Sequence, residues 1–573
     1  MPIIKLFKSR SFYFVLILII IGTALTSATM FRSGSTYDFG VGFWGPNGHD
    51  AIWHLGVINQ LSQHVPPENP SFSGNVLKNY HWGFDYFALL VQNLTHLSLL
   101  TVYFRLLPII FGISIGLISY FLVRSNSKNT YFALIFIFLN YFAGSFGWLF
   151  TLLKSGTIGG ESLFWSMQSA STLLNPPLAM SLIILFFGLI LWNRYHHTNS
   201  LLFSILTGLV FGSLSGIKVY AGLLIGISLT LYFLYDYFIR HHSSKFNLIT
   251  PVTTFLVSVI VLYFLGALSG ASLLIFKPFW FVNSLIESTD KFFIPSLASL
   301  RYNLSFQLLT YKLPVYILIE LFLTIIFLVG NFGTRTFGLI HLFLNIKKTK
   351  LTNFELLLSF ILIVGIVIPL LFIQKGTAWN TIQFLYYSLF VANYFTARYL
   401  STLVKLRYFY VILFLILTIP TTFSTLKDYF GFPPPSALPP DEIQALNFLK
   451  NQPTGVVLTY PYDPYVKNSF SKTPLPLYAY ETTAYVAAFS SKSTFLSDQM
   501  NLDITGNDWQ QRLDGSQKFF SSTDKFFSRG FLLNNNIRYI YLLNNQNFNT
   551  PVSDLYLTLI FTNPSCRLYQ VQR

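Results

Sequence analysis

The chain has 573 residues, 53% of them hydrophobic and only 10% charged, with a mean hydropathy of +0.54. A soluble protein of this length would carry far more charge, so the composition describes a polytopic membrane protein. The net charge of +16 sits mostly in short loops between apolar runs, the pattern of positive-inside topology rather than of a nucleic-acid binder, and a single cysteine, Cys566, excludes a disulfide framework and a cysteine zinc site.

In chain order, "MPIIKLFKSR" and the apolar run 11–31 resemble a signal sequence. The run is longer than a typical signal core and no small-x-small cleavage site follows, so it reads as an uncleaved first span. Further spans are expected near 102–123, 130–153, 176–193, 200–216, 219–238, 249–270, 313–332, 353–373, 381–399 and 407–424, about eleven in all. Lys5, Lys8 and Arg10 precede the first span. Arg124 and Lys128, Arg194, Arg240 and Lys245, Arg335 with Lys347, Lys348 and Lys350, and Arg398 with Lys405 and Arg407 fall in alternate loops. All lie on one side if the N-terminus is cytoplasmic, which places the C-terminus outside.

That topology puts residues 32–100 outside as one long first loop, a length that usually signals function. In "GPNGHDAIWHLGVINQLSQHVPPENP", Asn47 or His49 can cap a helix starting near Asp50 and stopped by Val65-Pro66-Pro67. Ala51, Leu55, Ile58 and Leu61 form its apolar stripe, so it is expected in the membrane interface. Asp50 and His54 are spaced i, i+4 and share a face, a plausible general-base pair; for Asp50 the alternative is a helix-start acid favoured by the macrodipole, and for His54 a structural histidine. "KNYHWGFDYFALL" repeats the spacing with His81 and Asp85, and 83–100 reads as interfacial or re-entrant. His49, Asp50, His54, His81 and Asp85 also offer nitrogen and oxygen donors to a divalent metal, although no zinc signature is matched, so metal dependence stays open.

Cations recur at the outer ends of spans: Arg105, Lys218 in "GSLSGIKVYAG" and Lys375 in "IQKGTAWNTIQF", where Gln383 follows. Charges at the membrane edge either snorkel to the interface or serve function. Several cations and carboxylates on one face suit a phosphate-bearing lipid, with cations on the phosphate and a carboxylate for the proton. Glu161 in "KSGTIGGESLFWS" is a further outer acid, whereas the prolines of "NPPLAMS" read as a helix start. The outer segment 272–312 holds Glu287, Asp290, Lys291 and Arg301 without a diagnostic spacing.

After Phe423, "GFPPPSALPPDEIQALNFLKNQ" reads as a proline-rich linker and then a helix with Asp441 and Glu442 in its first turn. "GVVLTYPYD", "IRYIYLLN", "LTLIFTN" and "CRLYQV" read as strands, and "NDWQQRLDGSQKFFSSTDKFFSRGFLL" has helical period. Residues 433–573 therefore form an extracytoplasmic α/β domain following a membrane domain, 1–432. The aromatics of "YPYDPY" and "YAYETTAY" suit carbohydrate stacking and an ordinary buried core equally.

This layout resembles the GT-C-type membrane glycosyltransferases: protein O-mannosyltransferases, aminoarabinose transferases and oligosaccharyltransferases. The residues that carry the resemblance are Asp50 in "GHDAIWH", the "HVPPENP" turn and "YHWGFDYFALL". "GTAWNTIQFLYYSLF" and "PLPLYAYETTAYVAAFSSKSTFLSD" look like uncharacterised prokaryotic members. It implies an α-helical polytopic protein with a long first external loop and a C-terminal soluble α/β domain, in a prokaryotic inner membrane. It further implies a polyprenyl-phosphate-linked sugar donor, a glycan, lipid or protein acceptor, and inversion at the anomeric carbon. Asp50 would deprotonate the acceptor hydroxyl or position it, with His54 and Asp85 as further catalytic candidates; His49, His81, Glu161, Arg105, Lys218, Lys375 and Gln383 would contact substrate. Many members carry an Asp-Glu pair where this chain has His49-Asp50-Ala51, which leaves the second acid open between Asp85 and Glu161.

Two other functions fit a polytopic chain. A secondary transporter or lipid flippase would place charges at the midplane in repeated halves, whereas here they gather at the outer ends of spans. A non-catalytic scaffold would tolerate loss of Asp50 and His54.

Overall fold

A computed structural model of the chain describes residues 10–241, 245–267, 274–306, 312–345 and 351–572. Lys5, Lys8, Lys347, Lys348 and Lys350, expected on the inner face, lie outside the described residues, as do the side chains of Arg10 and Lys245. The chain packs as two compact units. One comprises residues 1–29, 108–261 and 272–430; the other comprises 30–107, 262–271 and 431–573.

The first unit is helical. Among the described residues, seven helices are long and apolar enough to cross a membrane, or eight if one bent pair counts as a single span. Within the described residues, each of the eleven segments expected from hydropathy contains helix, but not each meets that standard; residues 268–270 of the expected 249–270 span lie outside the described residues. Leu201–Ile217 and Leu248–Phe264 are shorter, and the expected 130–153 span is bent by 49° between Thr130–Phe142 and Gly147–Ser155. Pro176 and Pro177 open the helix Pro176–Thr198, where a missing N–H costs no hydrogen bond. Phe14, Ile20, Phe255 and Leu318 point outward and are exposed, as lipid-facing side chains are, while an inner cluster including Trp192, Phe136 and Tyr387 is buried.

One cation departs from the loop pattern. Arg335 is 0% exposed rather than at an inner loop surface. It sits in a one-turn 3-10 break, Gly333–Arg335, between the helices Leu313–Phe332 and Thr336–Asn345. Its guanidinium donates to the carbonyls of Phe332 at 2.8 Å and Asn331 at 3.0 Å and to the side chain of Gln168. The break leaves carbonyls without helical donors, and the arginine supplies them. Gly333 makes the break compatible with close packing: its φ is +54°, and a Cβ there would meet the Gly144 carbonyl at 2.5 Å.

The second unit holds two four-stranded sheets, the first of which joins the first loop to the C-terminal domain. One runs in the order Ser35–Tyr37, Gly40–Phe43, Ser436–Leu438, Leu475–Pro476. Val41 pairs antiparallel with Leu438 and Phe43 with Ser436, so residues some four hundred positions apart form one ladder. The other runs Val456–Thr459, Ile537–Leu543, Cys566–Val571, Leu557–Thr562, its first pair parallel and the rest antiparallel. Leu458, Ile540, Leu542 and Leu532 fill the core beneath it. Arg512 stitches loop to domain: its guanidinium lies 3.6 Å over Phe72 and donates to the Ser73 and Phe495 carbonyls.

The helix Asp50–Leu61 does not expose its apolar stripe: ten of its twelve residues are buried within the second unit. Its stripe packs inward against Gly83–Thr95 and Tyr485–Ser490. The expected side-chain cap is also absent. His49 occupies the N-cap without capping, and the Asn47 amide donates instead to Ser33 Oγ at 3.0 Å.

Candidate functional site

The second unit gathers the acid and imidazole groups. A 3-10 turn, Gly45–Gly48, leads into the helix Asp50–Leu61 and is anchored by Ser33, whose hydroxyl accepts from the Trp44 N–H and the Asn47 amide. Gly48 lets this turn lie against the sheet, since a Cβ there would be 2.6 Å from Ser436 Oγ and 3.1 Å from the Tyr480 ring. His49 is held here almost buried, with 7% of its side chain exposed. Its Nδ1 is 2.9 Å from Asp50 Oδ1 and its Nε2 is 3.3 Å from Asp498 Oδ1. The Asp50 side chain is 58% exposed, whereas Asp498 is 0% exposed.

Asp498 is fixed as the N-cap of the helix Gln499–Thr505, accepting from the Asn501 N–H at 3.2 Å and the Asn501 amide at 2.9 Å. Burial works against a charge on His49, but Asp498, and after it Asp50, outweigh burial and hold the imidazole pKa well above its usual value. Glu481 lies nearby; burial raises its carboxyl pKa, His49 opposes the rise, and Asp50 and Asp498 add to it.

A second pair lies within the same unit. His54 Nδ1 is 2.7 Å from Asp85 Oδ1, with Asp85 fully buried and His54 10% exposed at its side chain. Thus His54 turns Nδ1 across to the helix Gly83–Thr95 rather than back along its own helix to Asp50, which corrects the i, i+4 pairing expected from spacing. The Tyr80 hydroxyl lies 3.4 Å from that nitrogen, and His81 stacks on the Tyr80 ring at 4.9 Å. Burial, and then the Asp85 charge, push the Tyr80 phenol pKa well above normal. Arg105, in the wide turn Val102–Leu106, donates to the Leu100 carbonyl at 3.3 Å and to Ser35 Oγ. The five residues offered as metal donors are therefore divided, and among the described residues no three His, Cys, Asp or Glu side chains gather as metal ligands.

The other candidates lie in the helical unit. Lys218 separates the helices Leu201–Ile217 and Val219–Phe238 and is 5% exposed. Its ammonium is 3.2 Å from Asn175 Oδ1 and 5.6 Å from the centroid of Tyr220. The Tyr220 hydroxyl donates to Gln374 Oε1 at 2.6 Å, in a short two-stranded antiparallel ladder pairing Leu274–Phe276 with Phe372–Gln374. Lys375 is the next residue and is exposed. Gln383 opens the helix Gln383–Thr418, and among the described residues its Oε1 meets no hydrogen-bond donor. Glu161 accepts from the Gln168 N–H at 2.9 Å and from Thr425 Oγ1 at 2.8 Å, while burial raises its carboxyl pKa. It is thus tied into the packing that also holds Arg335 through Gln168.

With the arrangement of helices and sheets in view, its relatives in structure are informative. The Archaeoglobus fulgidus oligosaccharyltransferase, in a crystal structure with zinc and sulfate, aligns over 91% of this chain and 67% of its own, at TM-score 0.52 and 14% identity. Its apo form aligns over 94% and 70% at TM-score 0.52 and 13% identity. The form tethered to an acceptor peptide containing the NVT sequon gives 94%, 70%, 0.50 and 12%. The fold is GT-C-like. No protein-family model matches the sequence, and neither does any curated protein.

Sequence reasoning missed Asp498, Glu481, Gln374 and Tyr220. Asp498 stands more than four hundred residues from Asp50, and no local pattern marks it. The nearest signal is the stretch "SKSTFLSD", which the resemblance had already singled out.

Proposed function

We propose that the chain is a membrane glycosyltransferase that moves a sugar from a polyprenyl-phosphate donor to an extracytoplasmic acceptor. The observation that carries this is the Asp498–His49–Asp50 chain on a GT-C-like fold, with an exposed carboxylate at the start of the first external helix. The structural relatives are oligosaccharyltransferases by name, and one holds an acceptor peptide, which favours transfer over transport.

Asp50 is the base. The acceptor hydroxyl gives its proton to this carboxylate as its oxygen attacks the anomeric carbon. The bond from that carbon to the phosphate oxygen breaks, and polyprenyl phosphate leaves. Attack opposite the leaving group inverts the anomeric centre. His49, charged and fixed by Asp498, orients Asp50 through its Nδ1 hydrogen bond. Asp498 replaces Asp85 and Glu161 as the second acid of the site. The His54–Asp85 pair and His81 are positioning residues, holding the helix that presents Asp50. Arg105, which lies in the same unit as Asp50, is assigned to the leaving phosphate of the donor, which requires donors and positive charge. Glu161, whose oxygens are taken by Gln168 and Thr425, is assigned to holding the packing of the helical unit in place. The C-terminal domain lies outside the cytoplasm with Asp50.

The test uses the full chain purified with native lipids and a panel of polyprenyl-phosphate sugars. Asp50→Asn should cut release of polyprenyl phosphate by about 10²–10⁴-fold with unchanged melting. Equal turnover in both proteins would remove Asp50 as base. No release from any donor would remove the transferase reading in favour of transport or scaffolding.

A further inference from the structure

A cavity of about 210 Å³ opens in the second unit. It lies just beyond the carboxyl ends of the parallel strands Val456–Thr459 and Ile537–Leu543, where open α/β sheets commonly take ligands. The volume is below the roughly 300–1,000 Å³ of sites that enclose drug-sized molecules, so it suits one residue-sized group.

Its wall is chemically specific. Tyr460, Tyr462, Tyr478 and Tyr485 supply aromatic faces, and Gln499 and Gln546 supply amides that both donate and accept. Among the described residues no lysine, arginine or histidine lines it, which disfavours an anionic ligand. Two hydroxyls buried in the lining, Thr483 Oγ1 and Ser516 Oγ, have no hydrogen-bond partner among the described residues, although their residues are only 6% and 2% exposed. Asp498 forms part of the wall and is the same residue that holds His49 beside Asp50.

We infer that this cavity binds a single neutral sugar ring of a glycan acceptor. Aromatic faces meet the C–H faces of a sugar, while amides, carboxylates and hydroxyls match its alternating donors and acceptors. The inference rests on the transferase reading for the word acceptor; the carbohydrate chemistry of the cavity does not. Asp498 then links the occupied cavity to the base through His49.

The experiment measures binding, by fluorescence polarisation, of labelled neutral trisaccharides of hexoses and N-acetylhexosamines to the full chain in nanodiscs. A sialylated trisaccharide and a basic heptapeptide serve as comparison probes. At least one neutral trisaccharide should bind saturably, and Tyr462→Ala should weaken it about tenfold or more with unchanged melting. Tyr462→Phe should retain it, and Asp50→Asn should bind normally while failing to release polyprenyl phosphate. The inference is overturned if no neutral trisaccharide saturates. It is equally overturned if Tyr462→Ala binds like wild type, or if the basic peptide binds instead and Glu481→Gln abolishes that binding. Saccharide binding without donor turnover would keep the cavity assignment and remove the transferase reading; turnover with binding indifferent to Tyr462→Ala would do the reverse.

Discussion

Glu442 should make the second unit lose stability between mildly acidic and neutral pH. It sits in the first turn of the helix Pro440–Lys450 and is 1% exposed. Burial raises its pKa to about 7 from 4.5, even though hydrogen bonds from Tyr541 and Tyr485 pull the other way; the Tyr541 hydroxyl donates to Oε2 at 2.7 Å. Between those two values the unfolded chain has lost the proton and the folded chain keeps it. Stability therefore falls as pH rises through this window, is fully present below pH 4.5, and is fully lost above about pH 7. At 1.36 kcal/mol per pKa unit the loss is about 3 kcal/mol. A unit of this size shifts by about 2–4 °C per kcal/mol, so the melting temperature should drop by roughly 6–12 °C. Glu442→Gln keeps the shape and an acceptor for Tyr541 but cannot titrate. The assay is scanning fluorimetry of both full-length proteins in one detergent from pH 4.5 to 8. The wild type should lose stability relative to the variant over that range and should melt below it at pH 8. Parallel curves, or a wild type that gains on the variant with rising pH, would refute the reasoning.

Two further perturbations test burial. Asp85→Asn and His54→Ala each break a buried pair and should each cost about 3–5 kcal/mol, and the double variant should cost far less than their sum in chemical-denaturation curves. Strict additivity would mean that the 2.7 Å contact carries no coupling. Arg335→Ala strands the carbonyls of Asn331 and Phe332 inside the helical unit and should cost at least about 3 kcal/mol, read as loss of monodisperse protein in detergent. A well-folded, stable Arg335→Ala protein would show that the helix break needs no such donor.

Much of the helical unit was legible because apolar runs of span length are local signals. The four strands of the second sheet were legible for the same reason: β-branched and aromatic runs bounded by turn residues mark Val456–Thr459 and Ile537–Leu543. What stayed hidden depends on distance along the chain. Ser35–Tyr37 and Gly40–Phe43 are too short and too glycine-rich to announce strands, and only their pairing with Ser436–Leu438 makes them so. Arg335 reads as a loop cation because its role arises from the geometry of a broken helix. The helix Asp50–Leu61 reads as amphipathic, yet the domain that covers its other side comes from the opposite end of the sequence.

The acid–histidine motifs show why spacing alone could not choose a base. Asp50 and Asp85 carry the same signature, each with a histidine four positions away, and each sits in the first turn of a helix. Spacing places two side chains on one face but does not say which neighbour each will meet or whether water and substrate can reach it. The fold gives His54 to Asp85 and shuts both away, while His49 engages Asp50 and leaves its side chain 58% exposed. A general base has to come within hydrogen-bonding reach of the proton it takes. A fully buried carboxylate already bound to an imidazole satisfies that only if its helix moves, whereas the Asp50 carboxylate is open to an approaching group where it stands. Accessibility, set by contacts with residues hundreds of positions away, is thus what separates two motifs that are equivalent in the sequence.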